Sequence, residues 1–459
     1  MANPLLRKPA LEQPEPTNRY VKLGLTNNPF PAEPALVVGS DDPRLNGSIY
    51  CPELHSSNIA ELRKRLIPNP GGKPVRTISF LMDHATRRGR GIGKSAFLKH
   101  QKDAIMKDLG EEASAGCAVI FAVYVVPSAS PPCRKFSEFC RLIASAMCDQ
   151  GIIARAIWRL RALSGSIPQE VLEQIGGPES WEATIGSDDW LRSKDVDLIF
   201  GVERVVRENL ARSGITDELA DRLAAHGASA SRFRTYFLVP QTDSFWRKEG
   251  GEFVFGDLVK LFTAAQFNRG LLLVDEVEKI VYHQNVQERR AFVDSLRFYM
   301  LDQSQNARSR FYGMLLTIHP GIQEILLPYW SAAGLDRLAP LNEPDAKEST
   351  LYFGPLTGPM AMPLVKVYLD HFRLNPDDKG KIEPFTKEAV IEALVKSGGV
   401  PGKTLSLLNR VVEEAVESEG TMIGKEVVDA VYQASERLAA AEVPVNPALP
   451  PSPVKLTEG

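Results

Sequence analysis

The sequence predicts an α/β fold with a parallel β-sheet, and three observations support this class. Residues 118–126 form an unbroken apolar run, Ala-Val-Ile-Phe-Ala-Val-Tyr-Val-Val, and residues 270–274 form a second, Gly-Leu-Leu-Leu-Val. Unbroken apolar runs of this length are typical of strands that are buried on both faces, as in parallel sheets. The third observation is that helical patterns separate these runs from each other and from further β-like segments.

The segment between a β-like run at 75–81 and a helical pattern at 96–106 is rich in glycine. It reads Gly89-Arg90-Gly91-Ile92-Gly93-Lys94-Ser95, and Ala96 follows it. Glycines allow successive N–H groups to converge on phosphate oxygens, and the positive end of the following helix adds to the attraction. The lysine can reach the outer phosphates, and the serine can bind Mg²⁺. The sequence therefore predicts a phosphate-binding loop.

The alternative for this loop is a chance Gly-Lys-Ser match, because short motifs carry false positives. The usual pattern is Gly-x-x-x-x-Gly-Lys-Ser/Thr, and Arg88 stands where its first glycine belongs. Gly89 and Gly91 lie inside the loop and can supply the turn. Partner residues elsewhere in the chain decide between the two interpretations.

Two carboxylates, Asp275 and Glu276, directly follow the apolar run at 270–274. Ligands of open α/β sheets bind at the carboxyl ends of the strands. There Asp275 can hold the Mg²⁺ that bridges the phosphates, and Glu276 can orient and deprotonate the attacking water. Two acids that cap a buried strand are common in isolation. Together with the Gly-Lys-Ser loop, they predict a nucleotide site.

A further β-like run at 310–320 has polar residues near its end. Thr317 and His319 are placed to meet the outermost phosphate or the attacking water, and Thr317 is the preferred candidate. The alternative for His319 is a turn residue that precedes Pro320.

The composition indicates a globular chain of two or three domains, since it has 459 residues, 44% of them hydrophobic and 24% charged. A net charge of −3 gives no overall basic field for nucleic acid. The five cysteines form no Cys-x-x-Cys pair, and Cys140 and Cys148 fit packing positions of a helix. With no apolar leader and no run long enough for a bilayer, we expect a cytoplasmic protein without membrane contact.

The pattern of helical and β-like segments divides the chain into five parts. They are an arm at 1–19, an α/β core at 20–130 and 247–360, a mostly helical insertion at 131–246, a helical lid at 361–438 and a proline-rich tail at 439–459.

Two basic groups lie in the insertion. They are Arg155, Arg159 and Arg161 around Trp158, and Arg232 and Arg234 with Tyr236. In a nucleic-acid site, the arginine side chains would contact phosphates and the aromatic side chains would stack on nucleobases. Because the whole chain is slightly acidic, the favoured interpretation is that these residues lie on a solvated helix face or are snorkelling arginines. DNA binding is the alternative.

Over about 70–130 and 255–438, these motifs resemble those of AAA+ or the closely related STAND-type P-loop ATPases. The loop at 89–95 looks like Walker A, Leu272-Leu-Val-Asp-Glu276 looks like Walker B, and Thr317 looks like sensor 1. The resemblance implies bound ATP and Mg²⁺ and a sheet of order 5-1-4-3-2. Its strands would be 75–81, 118–126, 270–275, 312–318 and 350–354, and the closing helices would be the family's lid.

An arginine finger of this family acts on the neighbouring subunit's site from the region after sensor 1. The resemblance implies Arg337 for this role, with Arg308 and Arg310 as further candidates. Such a finger can raise the rate about 10³–10⁵-fold. A surface ion pair with Asp336 or Glu343 is the alternative for Arg337.

Sensor 2 of the family is an arginine in a Gly-x-Pro-Arg motif that opens a lid helix. Here Gly399-Val-Pro-Gly402 has glycine at the arginine position, and Lys403 follows. The resemblance therefore implies Lys403 as the residue that contacts the nucleotide from the lid.

The implied function is Mg²⁺-dependent ATP hydrolysis by a homo-oligomer that assembles or remodels a partner complex, with a protein effector. The layout resembles origin-recognition-type loaders, ExeA-type and TnsC-type ATPases, and the ATP-binding proteins of BREX-like phage-defence clusters. These relatives point to phage defence or DNA transactions. The alternative is a nucleotide-gated scaffold or signalling switch that recruits effectors with little or no turnover.

Overall fold

A computed structural model describes residues 18–37, 39–68, 75–83, 91–110, 119–127, 130–175, 180–194, 198–302, 304–342, 345–418 and 421–441. Its one five-stranded sheet is parallel throughout, which confirms the predicted α/β class. The strands are β1 (Ile78–Asp83), β2 (Ile120–Val125), β3 (Arg269–Val274), β4 (Tyr312–Ile318) and β5 (Thr350–Phe353). They lie in the order β2-β3-β4-β1-β5, which reads 5-1-4-3-2 from the β5 edge.

The chain divides into two compact units. One is His55–Gly354, which holds the sheet, and the other is Met1–Leu54 together with Pro355–Gly459. The helices of the sheet unit are α1 (Ser56–Leu66), α2 (Lys94–Leu109), α3 (Phe136–Asp149), α4 (Ile152–Leu163), α5 (Gln169–Leu172), α6 (Asp188–Lys194), α7 (Leu198–Arg212), α8 (Asp217–His226), α9 (Ala230–Phe237), α10 (Asp243–Glu252), α11 (Leu258–Ala264), α12 (Glu278–Val281), α13 (Val286–Arg297), α14 (Gln305–Ser309), α15 (Pro320–Ala332) and α16 (Ala346–Ser349).

The strands are apolar because both faces of the sheet are covered. All six residues of β1 and of β3 are buried. Side chains alternate between the faces of a strand. On one face, Phe80, Val123 and Leu272 belong to a large hydrophobic core that also contains the helices of the inserted region. This insertion therefore packs on the sheet as part of the same unit.

The inserted region is mainly helical, and its last helix runs past the expected end at 246. Helices α10 and α11 continue through a π-helical turn, Phe253–Asp257, whose first four residues are buried. Cys140 and Cys148 are buried in α3, which confirms their predicted packing role.

The favoured interpretation of the first basic group, a solvated or snorkelling set, is wrong for two of its arginines. Arg159 and Arg161 are only 6% and 0% exposed. The Nε of Arg159 donates to the carbonyl of Ala265 at 2.9 Å. Arg161 donates to the carbonyl of Ile185 at 2.8 Å and pairs with Asp188 at 3.2 Å. These guanidinium groups are structural donors inside the helical region, because buried charges persist where they are paired.

The second unit contains the remaining helices, α17 (Gly358–His371), α18 (Lys387–Lys396), α19 (Pro401–Glu417) and α20 (Lys425–Ala441). Residues 18–54 belong to this unit, whereas the sequence division grouped 20–54 with the sheet. Thr26 N donates to the carbonyl of Phe372 at 2.8 Å, and the Phe30 ring lies 5.8 Å from that of Phe385. These contacts join segments more than 340 positions apart, which sequence patterns do not reveal.

Membrane contact was not expected from the sequence. Among the residues that the structure describes, no helix is both long enough and apolar enough to cross a bilayer.

Candidate functional site

Four polar side chains meet at the edge where the parallel strands end, which we call the carboxyl edge. They are Asp83 of β1, Tyr124 of β2, Asp275 after β3 and Thr317 of β4. Leu81 lies opposite Thr317, and Leu273 lies opposite both Tyr124 and Leu315. Because side chains alternate along each strand, this register places all four on one face of the sheet. It is the face opposite to the large hydrophobic core.

The described part of the glycine-rich loop leads directly into α2. Gly91 and Gly93 have φ angles of +81° and +96°, a backbone conformation that favours glycine. Lys94 is the first residue of α2, and Ser95 and Ala96 complete its first turn, where N–H groups have no intrahelical acceptor. Ile92 is buried and anchors the loop. Of the predicted loop residues, Gly89 and Arg90 lie outside the described residues, as does Arg88.

Lys94 pairs with Asp83, a residue that the sequence analysis did not select. The ammonium Nζ lies 2.9 Å from Asp83 Oδ2. The Asp83 side chain is 0% exposed and that of Lys94 is 10% exposed. The predicted phosphate-binding cation therefore lies beside a fully buried carboxylate.

Asp275 is held by three hydrogen bonds. Its Oδ1 accepts from the Thr317 hydroxyl at 2.8 Å and from the backbone N–H of Glu276 at 2.9 Å. Its Oδ2 accepts from the Tyr124 hydroxyl at 2.8 Å. The Thr317 oxygen also accepts from Glu276 N at 2.8 Å. Thr317 thus links β4 to the two acidic residues after β3, and its hydroxyl proton is used in doing so.

Tyr124 lies between the two predicted metal ligands. Burial, with the Asp275 carboxylate beside it, raises the pKa of the Tyr124 hydroxyl, so this group stays protonated and donates. The Ser95 side chain lies close enough to the Tyr124 hydroxyl to lower its pKa, against the larger effect of burial. Ser95 and Asp275 are therefore near each other, on either side of one hydroxyl group.

A hydroxyl and a carboxylate are oxygen ligands of the kind that Mg²⁺ takes together with water and phosphate oxygens. Ser95 and Asp275 fit that donor set, with the remaining positions left to solvent and substrate. Within the described part of the chain, no three His, Cys, Asp or Glu side chains gather into a group that could hold a metal by itself.

Glu276 has an unusual backbone and an ionic partner. Its φ is +47°, in the left-handed region that non-glycine residues seldom adopt. This turn directs the N–H of Glu276 toward Asp275 and Thr317. Its carboxylate lies 2.5 Å from the ammonium of Lys279 in the next turn. The predicted base is therefore tied to a lysine of its own segment.

Two further ionisable groups surround Lys94. Burial raises the pKa of Glu278, and the nearby Asp275 carboxylate adds to this effect. Burial and then the charge of Lys94 lower the pKa of His319. His319 precedes Pro320 as the N-cap of α15, where its Nδ1 accepts from Gly321 N at 3.1 Å, so it caps a helix rather than forming a turn.

His55 lies beside the loop and makes the sheet unit sensitive to acid. Its ring stacks on Phe353, with centroids 4.1 Å apart, and a Cβ built on Gly93 would lie 3.8 Å from its Nε2. Burial lowers the pKa of His55 to about 4, against about 6.5 for an unperturbed histidine. Between about pH 4 and pH 6.5, therefore, His55 is protonated in the unfolded chain but not in the folded chain.

The contribution of His55 to stability is complete above about pH 6.5 and is lost as the pH falls toward 4. Urea unfolding at pH 7.5 and pH 4.5 measures this. We expect the wild type to lose about 2–3 kcal/mol more than His55→Phe over this range, because other groups titrate alike in both proteins. Equal losses in the two proteins would contradict the assignment.

The arginine-finger candidates lie away from the carboxyl edge. Arg337 is exposed at the end of a 3₁₀ turn, Leu335–Arg337. Arg308 and Arg310 precede β4 and so lie at the opposite edge of the sheet. Lys403 is exposed in the first turn of α19, in the other unit. Glu343, an alternative partner of Arg337, lies outside the described residues.

Two residues of the site were missed by sequence reasoning, although each had a signal. Asp83 is an acid that ends a strand, much as Asp275 directly follows one, and it precedes the glycine-rich loop. Tyr124 carries a hydroxyl group inside an apolar run, near the strand end where a ligand was expected to bind.

No model of a known protein family matches the sequence, and comparison with curated proteins gives no match.

Proposed function

We propose that this protein is a Mg²⁺-dependent ATPase of the AAA+ type, which assembles or remodels a partner complex. One observation carries the proposal. The Lys-Ser pair at the start of α2 and the Asp-Glu pair after β3 converge on one face of a parallel sheet, at its carboxyl edge. This is where open α/β sheets bind their ligands.

The residues of the site divide the chemistry of hydrolysis among them. The first-turn N–H groups of α2 and the ammonium of Lys94 bind the phosphates. Ser95 and Asp275 would hold Mg²⁺, which supplies positive charge to the phosphate oxygens when it is bound. Glu276 accepts the proton of the attacking water. Thr317 fixes the main chain of Glu276 and the carboxylate of Asp275, so both keep their place during the reaction.

The family assignment and the homo-oligomer belong to this proposal. The order of the strands and the position of Thr317 on the strand between β1 and β3 support it. An exposed Arg337 is available to a neighbouring copy, as a finger that acts in trans requires. Phage defence and DNA transactions are the proposed settings, through the resemblance to defence-associated and DNA-loading ATPases.

A nucleotide-gated scaffold with little turnover is the second candidate, and the contacts of the acidic pair favour it. Glu276 is paired with Lys279, and both oxygens of Asp275 already accept hydrogen bonds. Arg159 and Arg161 of the first basic group are buried, so these two residues do not support DNA binding.

The proposal is tested by removing the phosphate-binding cation. We expect Lys94→Gln to bind ATP about 10- to 100-fold more weakly than the wild type, since hydrogen bonds to a charged group are lost. Isothermal titration calorimetry with ATP and Mg²⁺ measures the affinity. Lys107→Gln, an exposed lysine in the last turn of the same helix, is the matched control. Equal affinities of Lys94→Gln and wild type would overturn the site.

A further inference from the structure

We propose that Asp83 is a positioning residue that holds Lys94 and competes with phosphate for it. Asp83 thereby lowers the affinity of the site for nucleotide. The inference rests on the proposed function, because it concerns how the same phosphate-binding lysine is regulated.

The geometry of the pair is the basis of the inference. Asp83 is the last residue of β1 and Lys94 is the first of α2, so the glycine-rich loop runs between them. Their charged atoms are 2.9 Å apart, with side chains 0% and 10% exposed. Removing charges from water is costly, and the cost is offset only when each charge keeps its partner. Lys94 is therefore strongly held by Asp83.

Phosphate binding changes the balance at this pair. An ammonium group has three donors and can turn from one acceptor to another. If phosphate oxygens take Lys94, the carboxylate of Asp83 is left buried with a weaker counter-charge. If Lys94 is shared, the anionic phosphates approach a buried anion. Both arrangements cost free energy, and the negative charge of Asp83 causes that cost in each.

The neighbours of Lys94 add to this effect. Glu278 is a further carboxyl group within electrostatic range of Lys94. Lys94 thus lies near a second carboxyl group, and Asp83 contacts it directly at 2.9 Å.

Asp83→Asn tests the inference, because it removes the charge and keeps the shape. We expect it to bind ATP with Mg²⁺ about tenfold more tightly than the wild type, the factor for one charge-assisted hydrogen bond. Binding of adenosine, which has no phosphate, should not change. A merely structural role of Asp83 would not separate ATP from adenosine in this way.

Asp257→Asn is the matched control. Asp257 pairs with Lys260 at 3.0 Å in the helical region, with side chains 18% and 22% exposed. It should leave the affinity for ATP unchanged.

Stability without nucleotide gives a second test that does not need Asp83→Asn to fold. Lys94→Gln leaves Asp83 buried beside a neutral group, whereas the double variant Asp83→Asn/Lys94→Gln removes both charges. We expect the double variant to melt at a higher temperature than Lys94→Gln. Equal melting temperatures would show that the pair is not coupled and would overturn the inference.

The outcomes separate the two proposals. If the wild type binds ATP, Lys94→Gln weakens it and Asp83→Asn is unchanged or weaker, the inference fails and the ATP site stands. If neither the wild type nor Lys94→Gln binds ATP, the proposed function fails. Tighter binding of ATP by Asp83→Asn with unchanged adenosine binding supports both.

Discussion

ATP hydrolysis should fall about 10²–10⁴-fold when Glu276 is replaced with Gln, the range for loss of a general base. The amide cannot accept the proton of the attacking water, but it keeps the size of the side chain. ATP binding should persist, since Lys94 and Ser95 are untouched. Phosphate release under saturating ATP measures the rate, with Glu324→Gln, an exposed glutamate of α15, as the control.

Two outcomes would change the interpretation of Glu276. Equal phosphate release by wild type and Glu276→Gln would remove Glu276 from the role of base. ATP binding without phosphate release in either protein would favour the scaffold. In that case, light scattering during an ATP titration would detect nucleotide-driven assembly.

Loss of the carboxylate of Asp188 should destabilise the sheet unit by about 3–5 kcal/mol, the usual cost of breaking a buried ion pair. Asp188 lies 3.2 Å from the guanidinium of Arg161, which is 0% exposed, and it also pairs with Arg232. Asp188→Ala would leave Arg161 buried without this counter-charge. Urea unfolding of the two proteins at pH 7.5 measures the difference in free energy.

The neighbouring Asp189 provides the control for this effect. Its side chain is 96% exposed and pairs with Arg192 at 3.6 Å. Asp189→Ala should change the unfolding free energy by no more than about 0.5 kcal/mol, as exposed positions generally do. If Asp188→Ala were no more destabilising than Asp189→Ala, the buried ion pair would contribute little to the fold.

The strands were predictable because burial on both faces removes polar residues from them. The apolar runs that precede Asp275 and surround Val123 have the length and composition of strands buried on both faces, and they were assigned as such. The loop at Lys94 was predictable for another reason: glycine spacing and a following helix are local features. Local periodicity and local motifs thus identified most of the sheet and half of the site.

The rest depends on contacts between distant segments. Arg161 looks like a surface arginine until α6 brings Asp188 to it, 27 residues further along the chain. Asp83 becomes part of the site only through Lys94 on the far side of the loop. Tyr124 meets Asp275 across 151 positions of sequence. Charge and periodicity in one sequence carry no record of such pairings.

The discontinuous unit affects how the chain folds during synthesis. Residues 18–54 leave the ribosome before the rest of their unit, and their hydrogen-bond partners Phe372 and Asn409 are made several hundred residues later. Domains fold as units while translation proceeds. The sheet unit, continuous from His55 to Gly354, can complete its folding while the amino-terminal segment waits. That segment, including the Phe30 side chain, therefore lacks these partners until Phe372 and Asn409 have been synthesised.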